Sequence, residues 1–416
     1  MSTRKPALGF IFITLVLDIL GMGLIIPILP ELVKQLSGGE AAAASHTVGW
    51  LMSLYALMQF LCAPVLGNLS DRFGRRTVIL SSLFGSGLDY LLLAFAPTLP
   101  WFFLGRIIAG ITGANLSAAN AYIADVSPPE KRAANFGMVA AAFGVGFIIG
   151  PMLGGMLGHF GLRVPFYAAA TLTLLNWLYG LFVLPESLPR GQRRAFDWKR
   201  ANPVGSFVAL RRHPELLGLT EMYFLMNVAH QVFPSTWVLY TGYRFGWTVE
   251  QVALSLALVG GMAVIVQGGL ARIIIPWLGE RRSVLVGLTN ATIFLTAYGL
   301  ATQGWVIYIL LVVGSFGGIA MPALQALVSR SVPLNEQGAV QGGLSSLASL
   351  AGILGPLVAT SLFGHFIRED VEWHLPGAAF FASALMFFTA LLLALRSFRR
   401  EAPDTARAGN QPASVI

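Results

Sequence analysis

Long apolar runs alternate along this chain with short intervals of charge, Gly and Pro. A spanning helix takes roughly 20 mostly apolar residues. Runs of that length occur at 8–33, 47–68, 76–95, 98–123, 134–158 and 163–184, and again at 217–240, 251–275, 282–301, 304–328, 338–363 and 375–396. The pattern predicts an all-α integral membrane protein of twelve transmembrane helices in two pseudo-symmetric six-helix bundles. The expected divisions are an N-terminal bundle over 1–184, a linker over 185–216, a C-terminal bundle over 217–400 and a disordered tail over 401–416. Between the second and third runs stands the decapeptide GNLSDRFGRR, Gly67 to Arg76. A segment so charged cannot lie in lipid, so it is expected to be a tight loop at one membrane surface.

Composition agrees and excludes other classes. Hydrophobic residues make up 56% of the chain and charged residues 11%, against about 25% charged in a soluble domain. The net charge of +8 does not indicate a nucleic-acid partner, because the basic residues fall in short interhelical segments rather than on one face. The single cysteine, Cys62, lies in an apolar run and leaves no intrachain disulfide. The first run is long enough to span and leads directly into further spans, so it is expected to be a helix and not a cleaved leader.

Charge distribution also orients the chain. Of 27 Lys and Arg residues, 22 fall on one set of alternate loops and tails, seven of them in the central linker. Only Lys34, Arg163, Arg244 and Arg368 fall on the other set, and Arg106 lies inside a span. Positive charge marks the cytoplasmic side, so both termini and the linker are expected to be cytoplasmic. The halves echo one another: Gly150-Pro151 recurs as Gly355-Pro356, and the decapeptide recurs, degraded, between Gly269 and Arg282. Parallel repeats of this kind place a substrate path at the midplane between halves that rock about it.

Charge inside a bilayer is costly and marks function. Asp18 falls roughly 15 Å into the first span at 1.5 Å per residue, followed by Gly21, Gly23, Pro27 and Pro30, which loosen the helix. Asp89 and Arg106, about 20 Å and about 10 Å into consecutive antiparallel spans, reach similar levels and can pair; the pair either serves transport or only fixes helix packing. In the decapeptide, Gly67 is expected to allow close helix approach, and Asp71 to sit near a helix N-terminus. Arg75 is expected to meet Asp125, and these, with Arg72, Gly74 and Arg76, to form a gating cluster. In the fifth span Gly144, Gly146, Gly150, Gly154 and Gly155 surround Pro151: glycines three and four apart let backbones approach, and the proline favours a bend. Tyr55, Gln59, Asn115, Asn120, Asn227, Gln231, Gln267, Asn290, Gln325 and Gln341 are candidates for a mixed polar and apolar substrate cavity. Such a cavity suits a bulky amphipathic small molecule better than a sugar or a phosphate. His230 reads as a packed polar residue or a proton relay, and Glu221 as interfacial. No Gly-Lys dipeptide exists to form an ATP-binding phosphate loop, no His/Cys cluster has metal-ligand spacing, and no nucleophile–base set suggests an enzyme.

The pattern G-x-L-S-D-R-x-G-R-R resembles the signature between helices 2 and 3 of the major facilitator superfamily, and the G-P-x-x-G-G run resembles the fifth-span signature of its proton-coupled antiporters. LYALMQ from Leu54, SDRFGRR, LDYLLLAF from Leu88, Gly105-Arg106, GITGA from Gly110, RFGW from Arg244 and PALQ from Pro322 are similar to the tetracycline/proton antiporters. That resemblance implies drug efflux and antibiotic resistance: export of a divalent-metal–tetracycline chelate against protons, driven by the proton gradient, with no bound cofactor. It further implies a protein of the bacterial inner membrane; a monomer is the default expectation. In that family the positions matching Asp18, Asp89 and Arg106 are functional, and those matching Asp71 and Arg75 serve the transport cycle. The chain departs from it at Asn290, where those antiporters place a third intramembrane aspartate, and at Ala263, where some carry a histidine. An asparagine cannot carry a proton. The alternatives are therefore coupling through Asp18 or Asp89, a different drug, a proton-linked importer or uniporter of a metabolite, or a receptor that does not transport.

Overall fold

The computed structural model describes residues 8–113, 116–128, 132–198, 210, 213, 216–333 and 336–400. Among the described residues, eleven helices are long and apolar enough to cross a membrane. They are α1 (Leu8–Leu36), α2 (Ala41–Phe73), α3 (Arg75–Phe95), α4 (Leu99–Val126), α5 (Arg132–Gly158) and α6 (Val164–Val183) in the first half. In the second half they are α8 (Val249–Leu278), α9 (Glu280–Leu300), α10 (Gly304–Arg330), α11 (Gln337–Phe366) and α12 (Ala378–Arg400). The twelfth span, α7, is made of two helices, Leu217–His230 and Val232–Phe245, that meet at Gln231. Proline explains the break: Pro234 has no N–H for the carbonyl four residues back, at His230. In α1, Pro30 has the same effect on Ile26, and that helix gives way to turns at 26–28 before resuming at Leu29–Leu36.

The repeat expected from sequence extends to element bounds. Helices α3 and α9 correspond at both ends (75 to 280, 95 to 300), as do the starts of α4 and α10 (99 to 304) and of α5 and α11 (132 to 337). Each step is 205 residues, the spacing of the two Gly-Pro pairs. Within the first half α1 packs on α5 and α6, α3 on α6, and α2 on α4. Within the second, α7 packs on α11 and α12, α9 on α12, and α8 on α10. The halves meet through α2 against α11 and α5 against α8, two contacts that the repeat interchanges.

Those contacts lie in the membrane half remote from the central linker. Ser45 donates to the Thr360 carbonyl at 2.7 Å and Ser53 to the Ile353 carbonyl at 2.6 Å. His159 and Glu250, at the ends of α5 and α8, pair at 2.9 Å. On the linker side of these bonds, α2, α4 and α11 line a cavity of about 450 Å³.

The decapeptide is not a loop. Helix α2 runs through Phe73 and α3 begins at Arg75, so Gly74 alone lies between them. Its φ of 104° is one that only glycine adopts without strain, which lets the chain reverse in a single residue. Gly279, with φ 80° and ψ 153°, makes the corresponding reversal between α8 and α9.

Candidate functional site

Three groups of side chains stand out. The first lies where α2 meets α3 on the linker face. Arg75, buried, pairs with Asp71 at 2.5 Å through Nη1 and with Asp125 at 3.2 Å through Nε, and Nη1 also donates to Ser70 Oγ at 2.6 Å. Asp71 sits in the last turn of its own helix, not at a helix N-terminus as expected, and there the helix dipole disfavours a carboxylate. The adjacent guanidinium offsets this. The N-terminus of α3 is instead capped by Glu186, a residue not singled out in the sequence analysis. Its Oε1 accepts from the Arg75 N–H at 2.9 Å and the Leu188 N–H at 3.1 Å, and its Oε2 lies 3.7 Å from Arg193.

Further bonds tie the linker to this cluster. Ser187 donates to Asp125 at 3.0 Å, the Arg194 N–H to the Asp71 carbonyl at 3.1 Å, and Asn68 to the Asp197 carbonyl at 2.6 Å. Arg76 reaches the Leu181 carbonyl at 2.6 Å, while Arg72 is exposed and lies over Phe73. Gly67 does not mark the close approach expected of it, because a methyl group there would meet Ser117 at an ordinary 3.6 Å. The tight contact of α2 with α4 is at Gly110, where a Cβ would stand 2.7 Å from the Tyr55 carbonyl.

The second group lies inside the first half. Asp89, 1% exposed, is 3.8 Å from Arg106. The contact is loose: Asp89 Oδ1 and Arg106 Nε are both buried without a hydrogen-bond partner. Arg106 stands 6.0 Å over the Tyr55 ring, and Gln59 Nε2 donates to Tyr55 Oη at 3.3 Å and to the Gly113 carbonyl at 3.2 Å. Tyr90, another residue not singled out from sequence, lies within electrostatic reach of Asp18, Asp89, Arg106 and Tyr55. Asp18 is 3% exposed. Gln59 and Gly113 belong also to the cavity wall, with Phe60, Ala63, Pro64, Ser117 and three serines of α11, Ser345, Ser346 and Ser349. The α11 serines were invisible as site residues because serine is common packing material in membrane helices.

The remaining candidates are dispersed. Asn227 bonds to the Tyr223 carbonyl in its own helix, and Gln231 fills the break of α7 against Gly355. Gln267 lies in a π-helical stretch, Val264–Leu270, against Gly318, and Asn290 donates to the Val313 carbonyl at 3.4 Å beside Gly317. These last two flank the 3₁₀ stretch Ser315–Ile319 of α10, apart from the Asp89 group. Gln325 is half-buried on α10, and Asn115 lies outside the described residues. His230 is exposed at the break and 6.0 Å from the Phe233 ring. In α5, Gly150 and Gly154 press on the backbone of α1: a Cβ on Gly150 would stand 2.6 Å from the Gly23 Cα, and one on Gly154 would collide with the Leu24 carbonyl. Gly146 packs on Ile19 of α1, whereas Gly155 faces Ala253 of α8. Among the described residues no group of three His, Cys, Asp or Glu side chains could hold a metal ion.

Two six-helix repeats meeting at paired helices, with buried charge inside the first of them, have the frame of a membrane transporter. The profile of the Major Facilitator Superfamily matches residues 11–356 and, again, 278–415, and the chain belongs to that superfamily. It is 40% identical to the tetracycline resistance protein, class C, of Escherichia coli, over 92% of this chain and 95% of the relative. Multidrug resistance protein 2 of Bacillus subtilis is 31% identical over 88% and 90%. Among solved structures, the human organic anion transporter MFSD10 (TETRAN) superposes with a TM-score of 0.68 at 26% identity, over 95% of this chain and 100% of that one. An inward-facing, occupied bacterial homologue of the lysosomal transporter Spinster gives a TM-score of 0.76 at 17% identity, over 94% and 96%, a likeness of fold alone.

Proposed function

We propose that this protein exports an amphipathic drug, tetracycline-like or multidrug, in exchange for protons, by alternating access of its two halves to a site between them. The observation that carries this is a continuous path from an ionisable buried carboxylate to a cavity. Asp89 faces Arg106, Arg106 lies over Tyr55, Tyr55 bonds to Gln59, and Gln59 lines the space between α2, α4 and α11. Protonating Asp89 frees Arg106 from its counter-charge and so alters the wall that a drug touches. The tetracycline and multidrug resistance proteins among the relatives support the same direction of transport.

On this proposal both termini and the linker face the cytoplasm of a bacterial inner membrane, and residues 1–184 and 217–400 rock as two bodies. The Asp71–Arg75–Asp125 cluster serves as the cytoplasmic gate, and the Gly-Pro run of α5 as the sliding contact on α1. A tetracycline substrate enters as its divalent-metal chelate, the protein acts as a monomer, and the proton gradient drives it without a bound cofactor.

The test is drug-induced proton movement in everted membrane vesicles. Adding tetracycline to energised vesicles should release protons and accumulate drug, and Asp89→Asn should abolish both. Vesicles that do neither across a panel of drugs would sink the assignment.

A further inference from the structure

The cavity of about 450 Å³ between α2, α4 and α11 has a one-sided polar lining. On α11, Ser345 donates to the Gln341 carbonyl at 3.0 Å, Ser346 to the Gly342 carbonyl at 3.1 Å and Ser349 to the Ser345 carbonyl at 3.0 Å. A serine hydroxyl has a single proton, so these three can offer a solute only lone pairs. On α4, Ser117 commits its proton to the Ala63 carbonyl at 3.3 Å. Both N–H bonds of the Gln59 amide are engaged as well, by Tyr55 Oη and the Gly113 carbonyl. Its remaining polar atom is Oε1.

The backbone adds to the same side, and for an independent reason. Phe60 and Pro64 both line the space, and Pro64 has no N–H for the carbonyl four residues back, at Phe60. That carbonyl is a further acceptor. Among the described residues no charged side chain belongs to the wall. Arg106 stands behind Tyr55 and faces Asp89 at 3.8 Å.

A solute that enters gives up water and needs partners for its own polar atoms. An N–H or O–H finds acceptors on both α2 and α11. A carboxylate, sulfonate or phosphate finds no donor unless a serine abandons a helix bond worth about 1 kcal/mol. A buried anion left without donors is costlier still. A delocalised cation, by contrast, is favoured by the same oxygen dipoles.

We infer that Gln59, the Phe60 carbonyl, Ser345, Ser346 and Ser349 form an acceptor wall that selects neutral or cationic solutes bearing N–H or O–H donors and rejects anions of the same shape. The inference rests on the export reading only in treating the solute as cargo; the wall itself is tested by binding.

The experiment is equilibrium binding of three xanthene ethyl esters to the purified full-length protein at mildly alkaline pH, read by fluorescence polarisation. Rhodamine 6G is a cation with two N–H donors, tetramethylrhodamine ethyl ester a cation with none, and fluorescein ethyl ester an anion with none. Rhodamine 6G should bind saturably and about ten-fold more tightly than the tetramethyl dye, the effect of one or two added hydrogen bonds. Fluorescein ethyl ester should not bind saturably. Ser345→Ala with Ser349→Ala should abolish the preference for rhodamine 6G and leave the affinity for the tetramethyl dye unchanged. Ser331→Ala, at the end of α10 and outside the cavity, should change neither.

Should the double variant not fold, the ranking of the three dyes on the unaltered protein decides alone. Equal affinities, tighter binding of the anion, no saturable binding of any dye, or a preference that survives in the double variant would overturn the wall. Binding in the expected order without drug efflux would overturn the export reading and leave the wall standing. Efflux of drugs by a protein that shows no donor preference in binding would do the reverse.

Discussion

The two halves share a frame and differ in what they place on it. Arg75 and Asp125 in the first half correspond to Glu280 and Arg330 in the second (75 to 280, 125 to 330). The second pair forms too, at 2.8 Å, with its polarity reversed. The repeat has kept the need for a paired charge at the turn between helices but not its sign. What differs is cover: the Arg75 side chain is 10% exposed, enclosed by Asp71, Asp125 and the linker, whereas that of Arg330 is 74% exposed.

A second contrast lies at mid-depth. Where the first half carries Asp18, Asp89 and Arg106, the same step of 205 residues finds Tyr223, Phe294 and Leu311. The interior of the second half is instead filled by aromatic packing of Phe233, Trp237, Tyr240, Tyr298 and Phe380. One half thus carries buried ionisable side chains and the other a packed aromatic wall.

The largest effects should come from the ionisable groups. Asp89→Asn should reduce proton-coupled efflux to background in vesicles. Asn290→Asp should not restore it, since the new oxygen would face the Val313 carbonyl and cost about 1–3 kcal/mol unless protonated. Recovery of coupling in the double variant would break the contrast between the halves.

Next is the paired turn. Arg75→Ala leaves two carboxylates without their cation and should cost about 3–5 kcal/mol, against about 0–1 kcal/mol for Arg330→Ala at an exposed pair. Thermal unfolding in detergent compares them directly. Exchanging the partners sharpens the point. Glu280→Arg with Arg330→Glu should be tolerated, while Arg75→Glu with Asp125→Arg should fail because Glu186 would then face a like charge. Equal tolerance would show that the linker's charge does not set polarity.

A smaller difference is expected at the single-residue reversals. Gly74→Ala and Gly279→Ala each force a positive φ on a residue with a Cβ, costing about 1–2 kcal/mol. Gly74→Ala should lose more, since its Cβ would also collide with Glu186 whereas that of Gly279 meets nothing within 4 Å.

The smallest effect belongs to the exposed loop after α11. There the hydrogen bond from Arg368, at 2.8 Å through Nε, holds the Asp370 carboxyl below its ordinary 3.8. A depressed carboxylate contributes fully above its ordinary value and loses its contribution as pH falls through the lowered one. Amide exchange over 367–377 should therefore be unchanged near neutrality and accelerate only in strong acid.

Much of this was legible in the chain because the bilayer admits few solutions. Every backbone polar group in lipid must be satisfied within a helix, so apolar run length gave the spans, and the spacing of Gly150-Pro151 and Gly355-Pro356 gave the repeat. The loop expected at GNLSDRFGRR was wrong in form: charge density showed that the segment lies at a surface, but not that Gly74 alone turns the chain. The break at Gln231 was hidden because apolar periodicity does not register one missing hydrogen bond, although Pro234 could have signalled it.

Sequence alone determined the class, the repeat and the few charges inside the membrane, since each follows from the cost of putting polarity into lipid. The partners were decided only by the tertiary structure. Glu186 joins α3 from 111 residues away, Tyr55 and Gln59 connect the charges to a cavity, and Asn176 of α6 bonds to the Thr14 carbonyl of α1. Which oxygen meets which depends on helix rotation and crossing, and these are set by the packing of the whole bundle rather than by any one segment of it.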